Sequence, residues 1–187
     1  MFGAKLNKEI IDLLCKMIGT NLVSIETGAS EAEFSRSYGK IRINFNASAI
    51  ELSNLEKPTP FLDSLDDISG FSCEIKDKDT PFIPYLDEEI HTIPINEQIT
   101  EITIINDLIT IPDCSYQIEF DEAIIIKTVK GFYMISRDWQ YNEIIRLSKH
   151  CNYDDIYPID QVIESWNNFG TFMVDVKRTK HNVKEHE

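Results

Sequence analysis

The chain has 187 residues, 42% hydrophobic and 27% charged, with 32 acidic against 18 Lys and Arg side chains and a formal net charge of −14. That length and apolar content suit one domain with a core of its own and exclude a wholly disordered chain. The charge opposes contact with nucleic-acid phosphates or anionic lipid and favours a basic protein or cations.

Asn7 is placed to cap a helix over residues 8–18 that Gly19 ends, with Ile10, Ile11, Leu14 and Met17 or Ile18 on one face. From residue 21 the period falls to two. Leu22, Val23 and Ile25, then Ile41, Ile43 and Phe45, then Ile50 and Leu52 read as strands of an antiparallel meander. Turn residues separate them at 27–30 and 38–40. The Gly28-Ala29-Ser30 turn lacks the further glycines and the lysine of a phosphate loop. Residues 54–90 read as a loose insertion punctuated by Pro58, Pro60, Pro81 and Pro84, with one strand at 71–76. Strands are expected at 92–95, 99–105 and 108–111, with Asn106-Asp107 as the turn between the last two and Pro112-Asp113 closing the run.

Residues 116–149 carry the plainest signal. Tyr116, Ile118 and Phe120 alternate with Gln117, Glu119 and Asp121, while residues 123–126 are apolar on both faces, as a strand inside a sheet is. Lys130-Gly131 turns the chain into a return strand over 132–135, and Ser136 or Asp138 is placed to cap a helix after it. Asp154-Asp155 opens a connection through which Tyr157-Pro158 lets no helix run. Asp160 then caps a last helix over 161–169, with Val162, Ile163, Trp166 and Phe169 on one stripe and Gly170 as its stop. A final strand is expected over 171–176, and the polar tail 177–187 is expected to fray. The fold class is therefore α+β, a mostly antiparallel β-sheet with one N-terminal helix and two C-terminal helices packed on it, in a single domain over 1–176.

Cys15, Cys73, Cys114 and Cys151 are widely spread with no CxxC pair, so they read as reduced thiols rather than a disulfide framework. Lys5, Lys8, Glu9 and Asp12 interrupt any N-terminal apolar run, which argues against a secretory leader. No stretch approaches the roughly 20 apolar residues of a membrane span, and a cytoplasmic protein is expected. Asp87, Glu88, Glu89 and His91 lie close together but lack the alternate ligands and central glycine of an EF-hand, and adjacent His150 and Cys151 would point apart in an extended chain. Neither His91 nor His150 sits in a nucleophile motif. No metal, cofactor or catalytic residue is expected.

The charge distribution is more specific. Residues 50–126 contain 18 acids and only three bases, Lys57, Lys76 and Lys78. Folded onto one face, these acids would speed association with a basic protein and reject nucleic acid. The expected partner-binding residues are Asp63, Asp66, Asp67, Asp87, Glu88 and Glu89, with Arg137 and Trp139 as anchors. Arg137 also has a plainer use, which the sequence favours: pairing with a carboxylate such as Asp121 or Glu122.

The run IEFDEAIIIKTVKGFYMISRDWQYNEII at 118–145 resembles the layout of small acidic bacterial immunity-type proteins of toxin systems. The resemblance covers about the last third of the chain and has no catalytic signature. It implies a non-enzymatic inhibitor that covers a basic, nuclease-like toxin, and it carries over no site residue. Alternatives are a bacterial regulatory or accessory interaction module, one that mimics DNA included, or a hydrolase using the central acids with a divalent metal.

Overall fold

The computed structural model describes residues 2–28, 36–61, 64–114, 116–139, 141–169 and 173–183. In chain order its elements are β1 (Phe2–Ala4), α1 (Lys8–Met17), β2 (Asn21–Gly28), β3 (Arg36–Tyr38), β4 (Lys40–Phe45), β5 (Ala49–Phe61) and β6 (Ser64–Lys76). They continue with β7 (Ile90–Ile111), β8 (Tyr116–Thr128), β9 (Phe132–Arg137), β10 (Ile144–Lys149), α2 (Tyr153–Ile156), α3 (Ile159–Phe169) and β11 (Asp175–Asn182). The fold class is as expected, and the sheet dominates it: eleven described strands run in the order β3-β10-β9-β8-β7-β2-β4-β5-β6, with β1 on β8 and β11 on β7.

The pairing closes the sheet on itself. Only Gly39 separates β3 from β4, so two well-separated members of that order are halves of one bent strand. Gly39 sits at φ +68, and the Tyr85 ring lies over it so closely that a Cβ there would come within 2.6 Å of Cγ. Only glycine meets both demands. β5 pairs with β4 through Ser53, and β10 then takes over along β3, while the β5–β6 hairpin peels away. Alternate residues of the ring fill its inside: Leu22, Ile25, Ile41, Ile43, Ile102, Ile104, Ile124, Ile126, Ile135 and Leu147 share one buried cluster. α1 adds Ile10, Leu14 and Met17 to that cluster, and Asn7 caps it, its side-chain oxygen accepting from Ile10 N at 2.9 Å. On the outside, α3 seats Trp166 against Ile109, Ile111, Ile118 and Phe120, while Tyr153 of α2 packs on Ile105, Ala123 and Met134.

Five expectations are corrected. No helix follows β9; the chain turns back into β10, with Asp138 N donating to Ile144 O at 3.2 Å. The Asn142 side chain shapes that turn by bonding Asp138 Oδ2 and Ile144 N. The two C-terminal helices are instead α2, which begins where a connection was expected, and α3. Residues 90–111 form one strand rather than three. Asn106 and Asp107 sit buried inside it at a register shift opposite β8. Residues 54–76 are mostly strand, because Pro58 and Pro60 lie two apart and send their missing donors to the same side of β5, which beyond Ser53 has β6 alone as sheet partner. Finally, residues 177–182 do not fray: they belong to β11, paired with β7 down to Asn182↔Thr103, and Val183 is buried.

Candidate partner-binding surface

Many of the mid-chain acids serve the fold. Arg42, Arg137 and Arg178 bring three buried guanidinium groups inside. Arg178 makes a two-pronged contact with Asp107, Nε to Oδ1 at 2.8 Å and Nη2 to Oδ2 at 2.7 Å, and also reaches Asp154 at 3.0 Å. Arg137 donates to Glu122 at 3.1 Å and to Ser69 O at 2.7 Å. Burial pushes the Glu122 carboxyl up, against the pull of Arg137. Asp121 accepts from Leu6 N at 2.7 Å and Asn106 Nδ2 at 3.0 Å, tying the N-terminal segment to β8, and burial pushes its carboxyl up as well. Glu51, Glu74, Glu97 and Glu119 each have a lysine within 4.0 Å.

A second group of acids makes no ion pair among the described residues. Glu56 and Asp67 extend from the same face of the β5–β6 hairpin, Asp67 facing Pro58, two residues on from Glu56. Glu143 comes to them from the turn before β10, its Oε1 accepting from Glu56 N at 3.2 Å. Burial first, then the like charges of Glu143 and Asp67, push the Glu56 carboxyl up. Burial, then Glu143 and Glu56, push the Tyr38 phenol up, and that ring stacks on Tyr85 with centroids 6.1 Å apart.

Tyr85 links this cluster to the loop after β6, which is firmly anchored. The buried Arg42 side chain donates to the carbonyls of Asp77 at 2.8 Å and Lys78 at 3.4 Å, and to that of Thr80. Phe82 is buried beneath the loop, and Pro84 and Glu88 press on Gly28. Held this way, the loop exposes Ile83, Tyr85, Leu86 and Ile90 beside Asp87 and Glu89. The result is a rim of carboxylates with no ion pair among the described residues, around exposed tyrosine and aliphatic groups. It can accept cationic side chains at its acids and cover apolar area at its centre.

The expected site residues divide unevenly. Asp87 and Glu89 are exposed on this rim, with Glu88 half-buried between them; Asp67 belongs to the carboxylate cluster. Asp66, adjacent to Asp67 in a strand, points the other way, toward Tyr141, whose phenol is pushed up by burial and then by Asp66. Asp63 lies outside the described residues. Arg137 is no surface anchor: it is 2% exposed, paired with Glu122 as the plainer reading had it, and stacked 4.4 Å over Phe120. Trp139 is half-buried against Tyr141 and Trp166, where it supports α3 rather than a rim. Glu56, Glu143, Tyr38 and Tyr85 went unread, since no local pattern joins positions 87 residues apart. Among the described residues no three His, Cys, Asp or Glu side chains converge as metal ligands, and no helix is long and apolar enough to cross a membrane. Comparison with protein-family models, curated proteins and solved structures returns no match for this chain.

Proposed function

We propose that this chain is a non-enzymatic cytoplasmic binding protein, an immunity-type inhibitor whose acidic, tyrosine-bearing rim covers a basic toxin. The observation that carries the reading is the cluster of Glu56, Glu143 and Asp67 beside Tyr38. Burial first, and then the charges of Glu143 and Asp67, raise the Glu56 pKa, and a cation from a partner would relieve the repulsion. The anchored loop adds exposed apolar side chains next to these charges, the mixed chemistry of an interface core with a charged edge. A basic nuclease cleft offers the complementary field, and steering by that field gives fast, salt-sensitive association.

The test is calorimetric titration with the product of the adjacent gene, at low and high salt. Reversing Glu56 and Glu143 together to lysine is expected to weaken binding by at least about tenfold, and raising salt weakens the wild type as well. Reversing Asp67 and Glu89 acts in the same direction to a smaller degree. An affinity indifferent to both salt and these reversals would refute the acidic rim as the binding surface.

A further inference from the structure

The β5 strand sends Glu56 to one side and Lys57 to the other, so the face opposite the acidic rim has a different chemistry. There the N-terminal segment crosses the β5–β6 hairpin and leaves a cleft of about 410 Å³. Leu6 and Ile68, both buried residues, supply apolar wall, and Leu55 extends it. Lys5 and Lys57 line the cleft from opposite sides, and Ser72 adds a hydroxyl. Lys5 is held by Glu119 at 2.9 Å, whereas Lys57 makes no ion pair among the described residues. Lys57 is also one of only three bases between residues 50 and 126, so its placement at this cleft runs against the charge of the region around it. The amino end of α1, a ten-residue helix, opens beside Asn7 on the same cleft and adds partial positive charge.

From this juxtaposition of apolar wall, unpaired ammonium and hydroxyl, we propose that the cleft binds a small organic anion with an apolar body, a short-chain carboxylate being the simplest member of the class. The acid group meets Lys57, and the hydrocarbon lies along Ile68 and Leu55 toward Ser72. Binding is non-covalent. Cys73 also lines the cleft, but burial and then Asp121 push its thiol up, which keeps it protonated and unreactive.

The experiment is a titration of the ¹⁵N-labelled full chain with hexanoate, followed by amide shifts, with acetate and hexylamine as comparison probes. Hexanoate is expected to give saturable shifts at the amides of Leu55, Lys57, Gly70 and Ser72, acetate much weaker ones, and hexylamine none. Lys57→Met keeps the apolar stem and removes the charge, and is expected to weaken hexanoate about tenfold. Lys57→Arg restores a cation and is expected to stay within about threefold of the wild type, showing that the fold tolerates change there. The proposal is overturned if hexanoate fails to saturate in the millimolar range, if hexylamine shifts the same amides, or if Lys57→Met binds as the wild type does.

Discussion

Two acidic regions of this molecule are built in opposite ways. Beneath α2 and along β11, Glu122, Asp107 and Asp154 alternate with Arg137, Arg178 and Lys180, and the carboxylates there are met by cations at 2.6 to 3.1 Å. At the rim formed by β5, β6 and the turn before β10, Glu56 meets the like charges of Glu143 and Asp67, and none of the three makes an ion pair among the described residues. A chain with 18 Lys and Arg against 32 acids leaves some carboxylates without a cation wherever they lie. It sends three of its arginines inward, where a lone carboxylate would be costly, and leaves the rim to water and to whatever binds there. The net charge of −14 is therefore unevenly placed, since the buried carboxylates of Glu122 and Asp107 are matched by arginines.

The largest loss is expected at Arg178. Replacing it with methionine leaves Asp107, whose side chain is 1% exposed, without its two-pronged partner, and is expected to cost about 3–5 kcal/mol in urea unfolding. Adding Asp107→Asn should recover part of that loss, since the two residues act as one unit. A loss below about 1 kcal/mol for Arg178→Met would mean that β11 is not fastened to β7 through this pair. A smaller effect is expected at Asp121. Asp121→Asn keeps the shape but replaces one of the two oxygens that accept from Leu6 N and Asn106 Nδ2 by an amide NH2 facing a donor, at about 1–3 kcal/mol. The same substitution should speed hydrogen exchange at Leu6 and leave β10 unaffected.

These pairs also explain what the sequence could and could not convey. The apolar run at 123–126 announced an interior strand, and β8 does lie between β7 and β9. Asn7 announced α1, because a cap acts within three residues. Asn106-Asp107 looked like a turn, yet their buried partners are Asp121 and Arg178, the latter 71 residues downstream of Asp107. The polar part of β11 from Lys177 onward looked like a tail for the same reason. In the stretch Glu143 to Leu147 the apolar residues fit helical and strand periods alike, and only the Asp138–Asn142 turn and pairing to β9 decide for the strand. Half of the candidate rim, Asp67 and the 87–89 loop, was visible as charge; Tyr38, Glu56 and Glu143 meet only after the sheet has closed on itself.

The gentlest perturbation bears most directly on the rim. Burial and the neighbouring carboxylates raise the folded-state pKa of Glu56 above its usual 4.5. A carboxyl with a raised folded pKa binds its proton more tightly folded than unfolded. Its contribution to stability is therefore fully present below the unfolded pKa and lost as pH rises through the folded one. Glu56→Gln removes that loss. Because Glu56 is largely exposed and screened by solvent, the gain at pH 7 is expected to be a few tenths of a kcal/mol, shrinking to nothing as pH falls below about 4. Parallel urea titrations of the two proteins across pH 3.5–7.5 read the difference. If the variant is instead less stable than the wild type at neutral pH, Glu56 has a favourable partner in the folded chain, and the uncompensated rim loses its central member.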